Sequence, residues 1–323
     1  MVMGYWLMIN ERITCFVGVH WVVNEKFMCI FASLLFIIFF VVKKLILIVT
    51  IGIFTIVLSS CVVNRKNAGP FRADKMPPEF FATLDSVIYE AWQLYYSEQA
   101  NWIASDLALA KYQVEDLGGT LSWQPNDTTW SVIFMDKKKE NSLLEYQIIT
   151  SEGKGIVMDS VRPLTPTELG EFDKRVKIID GAVERYGDSL LFAPQSFGQP
   201  NIDIIRINDT ITRLYFMQGT VLEDVIPFGN DYSIDFDKEL NPIAFRKYHH
   251  SLIATRTKTE KGGKVETVMH SHTKDNPFIT ATDICNFLLY RPKDLDIFYV
   301  YSTAYKCKFA YSIHMNSIIT VLD

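Results

Sequence analysis

Two apolar runs near the N-terminus limit where a soluble domain can begin. The first covers residues 28–42 and the second residues 45–58, with Lys43 and Lys44 between them. Each run is shorter than the roughly 20 residues that a membrane-spanning helix needs. A lysine pair, a short apolar segment and then small residues is the layout of a secretory signal peptide. We therefore expect the folded part of the chain to begin after residue 60.

The second apolar run ends in Leu58-Ser59-Ser60-Cys61. This string resembles the lipobox of bacterial lipoproteins. The resemblance implies that residues 42–60 are a lipoprotein signal peptide and that Cys61 is lipidated and becomes the mature N-terminus. Residues 1–41 would then be an over-extended gene start, with initiation at Val42 or at Met28. A genuine N-terminal membrane segment is the alternative.

The residues that follow Cys61 bear on the destination of such a lipoprotein. By resemblance to lipoprotein sorting rules, Val62 does not favour retention in the inner membrane, and "VVNRKN" lacks the acidic run of surface-displayed lipoproteins. The resemblance thus implies an outer-membrane protein that faces the periplasm and is anchored by several acyl chains, since one chain binds membranes only marginally. The net charge of -5 and the absence of a basic stripe give no reason to expect a nucleic-acid partner. A protein or peptide partner is left open.

The rest of the sequence predicts a tether and two folded regions. Residues 61–78 are polar and contain glycine and prolines, as a flexible tether would. Residues 79–187 begin with apolar positions three and four apart and continue with short β-branched and aromatic runs. Residues 187–200 have the composition of a linker, and residues 200–323 alternate with a period of two around one short helix. The prediction is an α+β fold, in which an N-terminal helix and β-meander precede an antiparallel-sheet domain.

A second helix is expected at the end of the first folded region. Thr165 or Thr167 could supply its N-cap, Pro166 lies near its first turn, and Gly187 ends it. The sequence does not choose between the two threonines.

The string "HSHTKDNPFITATDI", from His270 to Ile284, is the strongest candidate site. If this part of the chain forms a strand, His270, His272 and Glu266 share one face, and Asp283 arrives from the following loop. Two histidines and one aspartate could hold zinc and leave one position open for water. The ion would lower the pKa of that water and polarise a carbonyl group, as a hydrolytic enzyme requires.

The spacing resembles the signature of the JAMM (MPN-domain) metalloproteases, in which H-x-H is followed by seven residues, a serine, two residues and an aspartate. The resemblance covers residues 220–310. It implies that His270, His272 and Asp283 bind zinc. It also implies that Thr280, which stands in place of the serine, helps to stabilise the tetrahedral intermediate.

The general base that the resemblance requires is a glutamate on an upstream element. Glu223, Glu239 and Glu266 are candidates by elimination. Glu223 has about the right sequence separation, whereas Glu266 lies on the right face of the predicted strand.

The same residues also admit a structural interpretation. Thr280-Ala281-Thr282-Asp283 is a capping-box pattern, in which Thr280 accepts a hydrogen bond from a first-turn backbone N–H. Asp283 would then complement the positive end of the helix. On this interpretation His270 and His272 are half-exposed strand residues without a metal.

The remaining candidate side chains carry weaker signals. His249 and His250 would point to opposite faces of an extended segment, so we do not expect them to bind one ion together. His314 could be an additional ligand. Cys285 and Cys307 could form a disulfide in an oxidising compartment, or could be two buried thiols.

Two functions are therefore expected from the sequence. The first is an outer-membrane-anchored periplasmic lipoprotein of structural or binding type. The alternative is a zinc-dependent JAMM-like peptidase or amidase, with zinc as its cofactor, that acts on a peptide-type bond.

Overall fold

The computed structural model describes residues 76–322. The predicted gene start, the signal peptide with Cys61, and the tether up to residue 75 lie outside the described residues. Within residues 76–322 no helix combines the length and the apolar character needed to cross a membrane.

Three α-helices occur among the described residues: α1 (Pro78–Lys111), α2 (Pro166–Tyr186) and α3 (Ala281–Tyr290). A proline occupies the start of both α1 and α2. Its missing N–H costs nothing there, because the first N–H groups of a helix have no intrahelical acceptor. Single 3-10 turns lie at Val114–Asp116, after α1, and at Gly187–Ser189, after α2.

Fifteen strands in the described part of the chain form three sheets and one separate pair. The first sheet has the order β1-β2-β3-β4, with β5 also paired to β3; the second has the order β10-β9-β7-β6; and the third has the order β12-β13-β14-β15. Strand β11 pairs with β8. The strands are β1 (Leu117–Asn126), β2 (Thr129–Asp136), β3 (Asn141–Ile149), β4 (Lys154–Met158), β5 (Arg162–Pro163), β6 (Pro200–Arg206), β7 (Thr212–Gln218), β8 (Val225–Phe228), β9 (Tyr232–Phe236), β10 (Pro242–Lys247), β11 (Ile253–Arg256), β12 (Val268–His272), β13 (Ile297–Ser302), β14 (Cys307–Ser312) and β15 (Ser317–Leu322).

The predicted α+β class is confirmed, with a long N-terminal helix followed by sheets whose strands are mostly antiparallel. The pair β12–β13 is an exception within the last sheet, because its strands are parallel. Parallel neighbours need a crossover connection. Helix α3 lies in that connection, so its N-terminus follows shortly after the end of β12.

The largest hydrophobic cluster is organised around α1. This helix presents four alanines without exposed surface, which lets neighbouring elements approach closely: Ala91, Ala100, Ala104 and Ala108. Trp130 of β2 packs in the cluster and donates its indole N–H to Gln93 of α1 at 3.1 Å. Phe287 of α3 and Phe298 of β13 belong to the same cluster. Residues of both predicted folded regions therefore contribute to one core.

A smaller hydrophobic cluster joins α2 to the second sheet. Its buried members are Ile178 and Ala182 of α2 and Leu214, Phe216, Tyr232, Ile234 and Phe236 of the sheet. The N-terminus of α2 is fixed separately by a capping box, in which Thr165 Oγ1 accepts from Glu168 N at 3.2 Å and Glu168 Oε2 accepts from Thr165 N at 2.7 Å. Arg162 bridges Glu168 to Glu145 of β3. Of the two threonines that the sequence left open, Thr165 is the cap.

We predict that Thr165→Ala lowers the free energy of unfolding by about 1 kcal/mol, because a backbone N–H of the first turn loses its acceptor. Thr167→Ala is the matched control, since Thr167 is exposed and lies inside the helix. Chemical denaturation of the full chain in detergent measures both variants. Equal losses in the two variants would contradict the assignment of the cap.

Candidate metal centre

Strand β12 presents two histidines to the interior. Its side chains alternate strictly between buried and exposed, so Val268, His270 and His272 face inward. His270 lies opposite Val300 of β13, and His272 lies opposite Ser302. The shared face predicted for the two histidines is present, but both side chains are buried rather than half-exposed, at 7% and 3% exposure.

The first turn of α3 brings an aspartate to the same place. Thr280 is the N-cap, and its hydroxyl accepts a hydrogen bond from Asp283 N at 3.1 Å. Asp283 Oδ2 in return accepts from Thr280 N at 2.9 Å and from Thr280 Oγ1 at 2.8 Å. The predicted capping box is therefore present. It occupies only Oδ2, because Asp283 Oδ1 accepts no hydrogen bond from the described residues.

A third histidine enters from the segment after β10. His249 is buried, and its Nδ1 lies 2.7 Å from Oδ1 of the buried Asp231. Asp231 directly precedes β9, and its backbone oxygen accepts from Tyr248 N at 3.1 Å. The β8–β9 connection reaches this position through Gly229, whose φ is +84°. A Cβ there would lie 2.1 Å from Ser251 O, so only glycine permits the two segments to approach this closely.

The side chains of four residues converge where these elements meet: His249, His270, His272 and Asp283. His249 Nε2 lies 2.9 Å from His272 Nε2 and 3.4 Å from His270 Nε2, and His270 Nε2 lies 3.1 Å from His272 Nε2. Asp283 Oδ1 is 3.1 Å from His270 Nε2 and 3.3 Å from His249 Nε2, while Asp283 Oδ2 is 3.3 Å from His272 Nε2. A tetrahedral ion with bonds of about 2.0–2.1 Å separates its ligands by roughly 3.3–3.4 Å. This buried group could hold a metal ion.

Contacts on the far side of two imidazole rings orient their lone pairs toward the centre. His249 Nδ1 faces the Asp231 carboxylate, and His272 Nδ1 lies 2.5 Å from Phe278 O. Both acceptors require a proton on Nδ1, so the Nε2 of each ring presents a lone pair inward when the imidazole is neutral. His270 Nδ1 is buried and has no hydrogen-bond partner within residues 76–322, and its ring packs on Phe228 with centroids 4.6 Å apart.

The carboxylates of Asp231 and Asp283 are shielded from water. Asp231 acts only as an acceptor, from His249 and from the hydroxyl of Thr282, and Asp283 likewise accepts from Thr280. Burial alone would raise the pKa of Asp283, but the three histidines hold that pKa well below its usual range. Burial opposes protonation of His249, yet the carboxylates of Asp231 and Asp283 outweigh it and raise its pKa well above the ordinary value.

The pKa of His270 is shifted in the opposite direction from that of His249. Burial lowers the pKa of His270, although Asp283 acts in the opposite direction. In the tautomer of neutral His270 that carries its proton on Nδ1, Nε2 and Asp283 Oδ1 are two acceptors 3.1 Å apart. Such a contact is repulsive unless a proton or a cation lies between the two atoms.

The candidate glutamates are not part of the centre. Glu223 is exposed in the turn before β8, whereas Asp231 follows the far end of that strand. Glu266 is exposed in a bend before β12 and does not belong to the strand, so it does not share the histidine face. Glu239 lies in the turn between β9 and β10. Thr280 does lie at the centre, but its hydroxyl is occupied by the capping box.

The other candidate side chains lie apart from the four ligands. His250 is exposed, and the exposed His314 pairs with Asp296 at 3.0 Å. Cys285 and Cys307 are two buried thiols and are not joined by a disulfide. The sequence had left both states open. Burial raises the pKa of Cys285 well above its usual value, so its thiol stays protonated.

Two members of the site, His249 and Asp231, were missed from the sequence. From the sequence, His249 and His250 were not expected to bind one ion together, because they would point to opposite faces of the chain. The exposed His250 is indeed not a ligand, but His249 joins other partners. The partners of His249 are 21 and 23 residues away, beyond any local pattern. No short motif marks Asp231, which follows a tight glycine turn and is 18 residues from His249.

Comparison with known proteins adds no relative. No family model matches the sequence, and no curated protein or solved structure is significantly similar to the chain. The lipobox and the JAMM resemblance therefore stay predictions that rest on the quoted residues.

Proposed function

We propose that the protein is a lipid-anchored protein of the bacterial outer membrane, of structural or binding type, and that its folded domain is organised around one buried zinc ion. The observation that carries the metal is the convergence of three Nε2 atoms on the Asp283 carboxylate. The nitrogens lie 2.9 to 3.4 Å from one another, and each lies 3.1 to 3.3 Å from a carboxylate oxygen. No substrate is needed to explain this arrangement.

A cation satisfies the centre better than protons do. His249 Nε2 and His272 Nε2 lie 2.9 Å apart, and Asp283 Oδ1 accepts no hydrogen bond from residues 76–322. One protonated imidazole beside the Asp231 and Asp283 carboxylates would still leave a net charge of -1 in a buried site. A divalent ion bound to neutral imidazoles balances both carboxylates, and buried charge is tolerated only when it is compensated.

Zinc is the ion that suits these donors. Imidazole nitrogens together with a carboxylate oxygen are ordinary zinc ligands, and the ion accepts a tetrahedral arrangement without electronic penalty. In zinc sites, the ring nitrogen of a ligating histidine that does not bind the ion usually donates a hydrogen bond to an oxygen. His249 Nδ1 and His272 Nδ1 have such partners in Asp231 and Phe278 O. Iron, manganese, cobalt, nickel and copper accept imidazole as well, so the metal analysis below covers all of them.

The number of protein ligands favours a structural ion over a catalytic one. Structural zinc sites have four protein ligands, whereas catalytic sites have three and a bound water. His249 supplies the fourth ligand in the position that a catalytic water would need. The ion would thereby fasten β12, the first turn of α3 and the segment after β10 to one another.

The JAMM-like peptidase is the second candidate, and one observation favours it. His270, His272 and Asp283, the three ligands implied by the resemblance, do lie together. Hydrolysis would further require an open metal position and a carboxylate beside it. His249 occupies the first, and Glu223 and Glu266 are exposed elsewhere, so we rank this function below the structural one.

The membrane anchor is supported by the sequence alone. Leu58-Ser59-Ser60-Cys61 follows a lysine pair and a short apolar segment, and α1 begins at Pro78, soon after the proposed lipidated residue. A bound structural ion would add to the folding free energy of the anchored domain.

We predict about one equivalent of zinc per chain in the full protein purified without chelator. His249→Ala and the double variant His270→Ala/His272→Ala should lose most of it, while His250→Ala, the exposed neighbour, keeps the parental content. Inductively coupled plasma mass spectrometry gives the stoichiometry of every transition metal. A parent without metal after growth in zinc, or a His250→Ala loss equal to that of His249→Ala, would overturn the site.

The orienting role of Asp231 gives a separate prediction. Asp231→Asn should weaken zinc binding by about 10- to 100-fold, because an amide no longer holds the His249 ring by charge. Asp275→Asn is the matched control, since Asp275 is exposed in the loop between β12 and α3. Competition with a chromogenic chelator measures both affinities. An unchanged affinity in Asp231→Asn would exclude Asp231 from the centre.

The proposed anchor is tested at Cys61. Cys61→Ala should abolish incorporation of labelled fatty acid and release the protein from the membrane fraction, because the thioether-linked lipid has no attachment site. Cys285→Ala, which removes a buried thiol of the folded part of the chain, should change neither. Mass spectrometry of the precursor tests the gene start at the same time, and a peptide covering residues 5–12 would contradict initiation at Val42 or Met28.

A further inference from the structure

A second group of buried acids lies away from the metal centre, between α1 and β6. Glu98 on α1 and Asp203 on β6 are exposed by only 4% and 1%, and their carboxyl groups interact directly. Ser97 Oγ donates to Asp203 Oδ1 at 2.5 Å. Asp203 Oδ2 has no donor from any other described residue. A proton on Glu98 would supply the donor that this oxygen lacks.

The surrounding groups supply charge for only one ionised acid. Arg175 of α2 is the cation that faces the pair, and its guanidinium also donates to Ile202 O at 2.8 Å. On the side of α3 the titratable groups are the thiol of Cys285 and the hydroxyl of Tyr290, both neutral because burial raises their pKa values. Arg175, the cation that faces the pair within residues 76–322, therefore balances one carboxylate, and the second acid has no counter-charge among those residues.

Two buried carboxylates in contact cannot both be ionised without strong repulsion. Burial raises the pKa of Glu98 well above its usual range, and the neighbouring Asp203 raises it further. Burial also raises the pKa of Asp203, although Glu98, Ser97 and Arg175 act against this. Trp102 and Arg175 act against the raised pKa of Glu98, but burial and Asp203 outweigh them, whereas Ser97 and Arg175 stabilise the anion at Asp203. The proton therefore belongs on Glu98.

We propose that Glu98 and Asp203 share one proton in the folded protein, and that this proton makes the packing of α1 against β6 depend on pH. Helix α1 is the centre of the largest hydrophobic cluster. Removal of the proton would place two adjacent anions beneath it, next to a single arginine. The pair would therefore act as a pH-sensitive contact within the core, independent of any metal.

The direction of the pH effect follows from linkage. A carboxyl group whose pKa is raised on folding binds its proton more tightly in the folded state. Its contribution to stability is complete below the pKa of the unfolded chain, about 4.3 for glutamate, and is lost progressively as the pH rises toward the raised value. A protein of this size should lose about 3–5 °C of melting temperature per pH unit in that window for one such proton.

Glu98→Gln tests the proposal, because glutamine donates a hydrogen bond to Asp203 at every pH and cannot ionise. The melting temperature of the full chain in detergent is measured from pH 5 to pH 9.5, beside Glu184→Gln, an exposed glutamate of α2. We expect the difference between Glu98→Gln and the parent to grow in favour of the variant as the pH rises. The control should run parallel to the parent. Parallel curves for Glu98→Gln and the parent would overturn the proposal.

Infrared spectroscopy of the parent provides a second measurement should Glu98→Gln fail to fold. A protonated carboxylic acid has a carbonyl stretch above the amide I band, and the shared proton predicts such a band in the folded parent at pH 7. Within residues 76–322, Glu98 and Asp203 are the two carboxyl groups whose pKa is raised, so the band would report on this pair. The absence of this band at pH 7 would contradict the shared proton.

Discussion

Lone pairs that point at one another inside a protein need a positive charge between them. The C-terminal part of this chain is arranged around that requirement. Strand β12, the first turn of α3 and the segment after β10 each deliver one or two acceptor atoms to a point that water does not reach. The tight approach at Gly229 and the parallel pair β12–β13 are the backbone conditions that make this meeting possible.

Asp283 reconciles the two interpretations that its sequence context allowed. A carboxylate has two oxygens, and in this protein they serve different partners. Oδ2 closes the capping box with Thr280 and lies 3.3 Å from His272 Nε2, while Oδ1 faces the Nε2 atoms of His249 and His270. The cap fixes the position of the aspartate before any ion is bound, which reduces the cost of ordering that ligand. A helix cap and a metal ligand are thus compatible roles for one residue.

Local pattern accounts for the parts of the site that were predicted. The period of two in β12 placed His270 and His272 on one face, and the T-x-x-D pattern placed Asp283 at a helix start. Neither pattern depends on distant residues. His249 and Asp231 depend on how β8, β9 and β10 are arranged, which no short window of sequence contains. The α+β class was predicted correctly because it follows from local periodicity. The parallel pairing of β12 with β13 was not anticipated, because it depends on how distant segments are arranged.

The positions of the ligands along the chain also set an order in which the centre can assemble. His270, His272 and Asp283 lie within one strand–loop–helix segment, whereas His249 is 21 residues upstream of His270. Short loops close with less loss of entropy than long ones. If the centre holds the proposed ion, the three local ligands would therefore gather it first, and a coordination position would still be open to water at that stage. His249 would fill that position last, so the closed centre would be the final state of a maturation that begins with an open one.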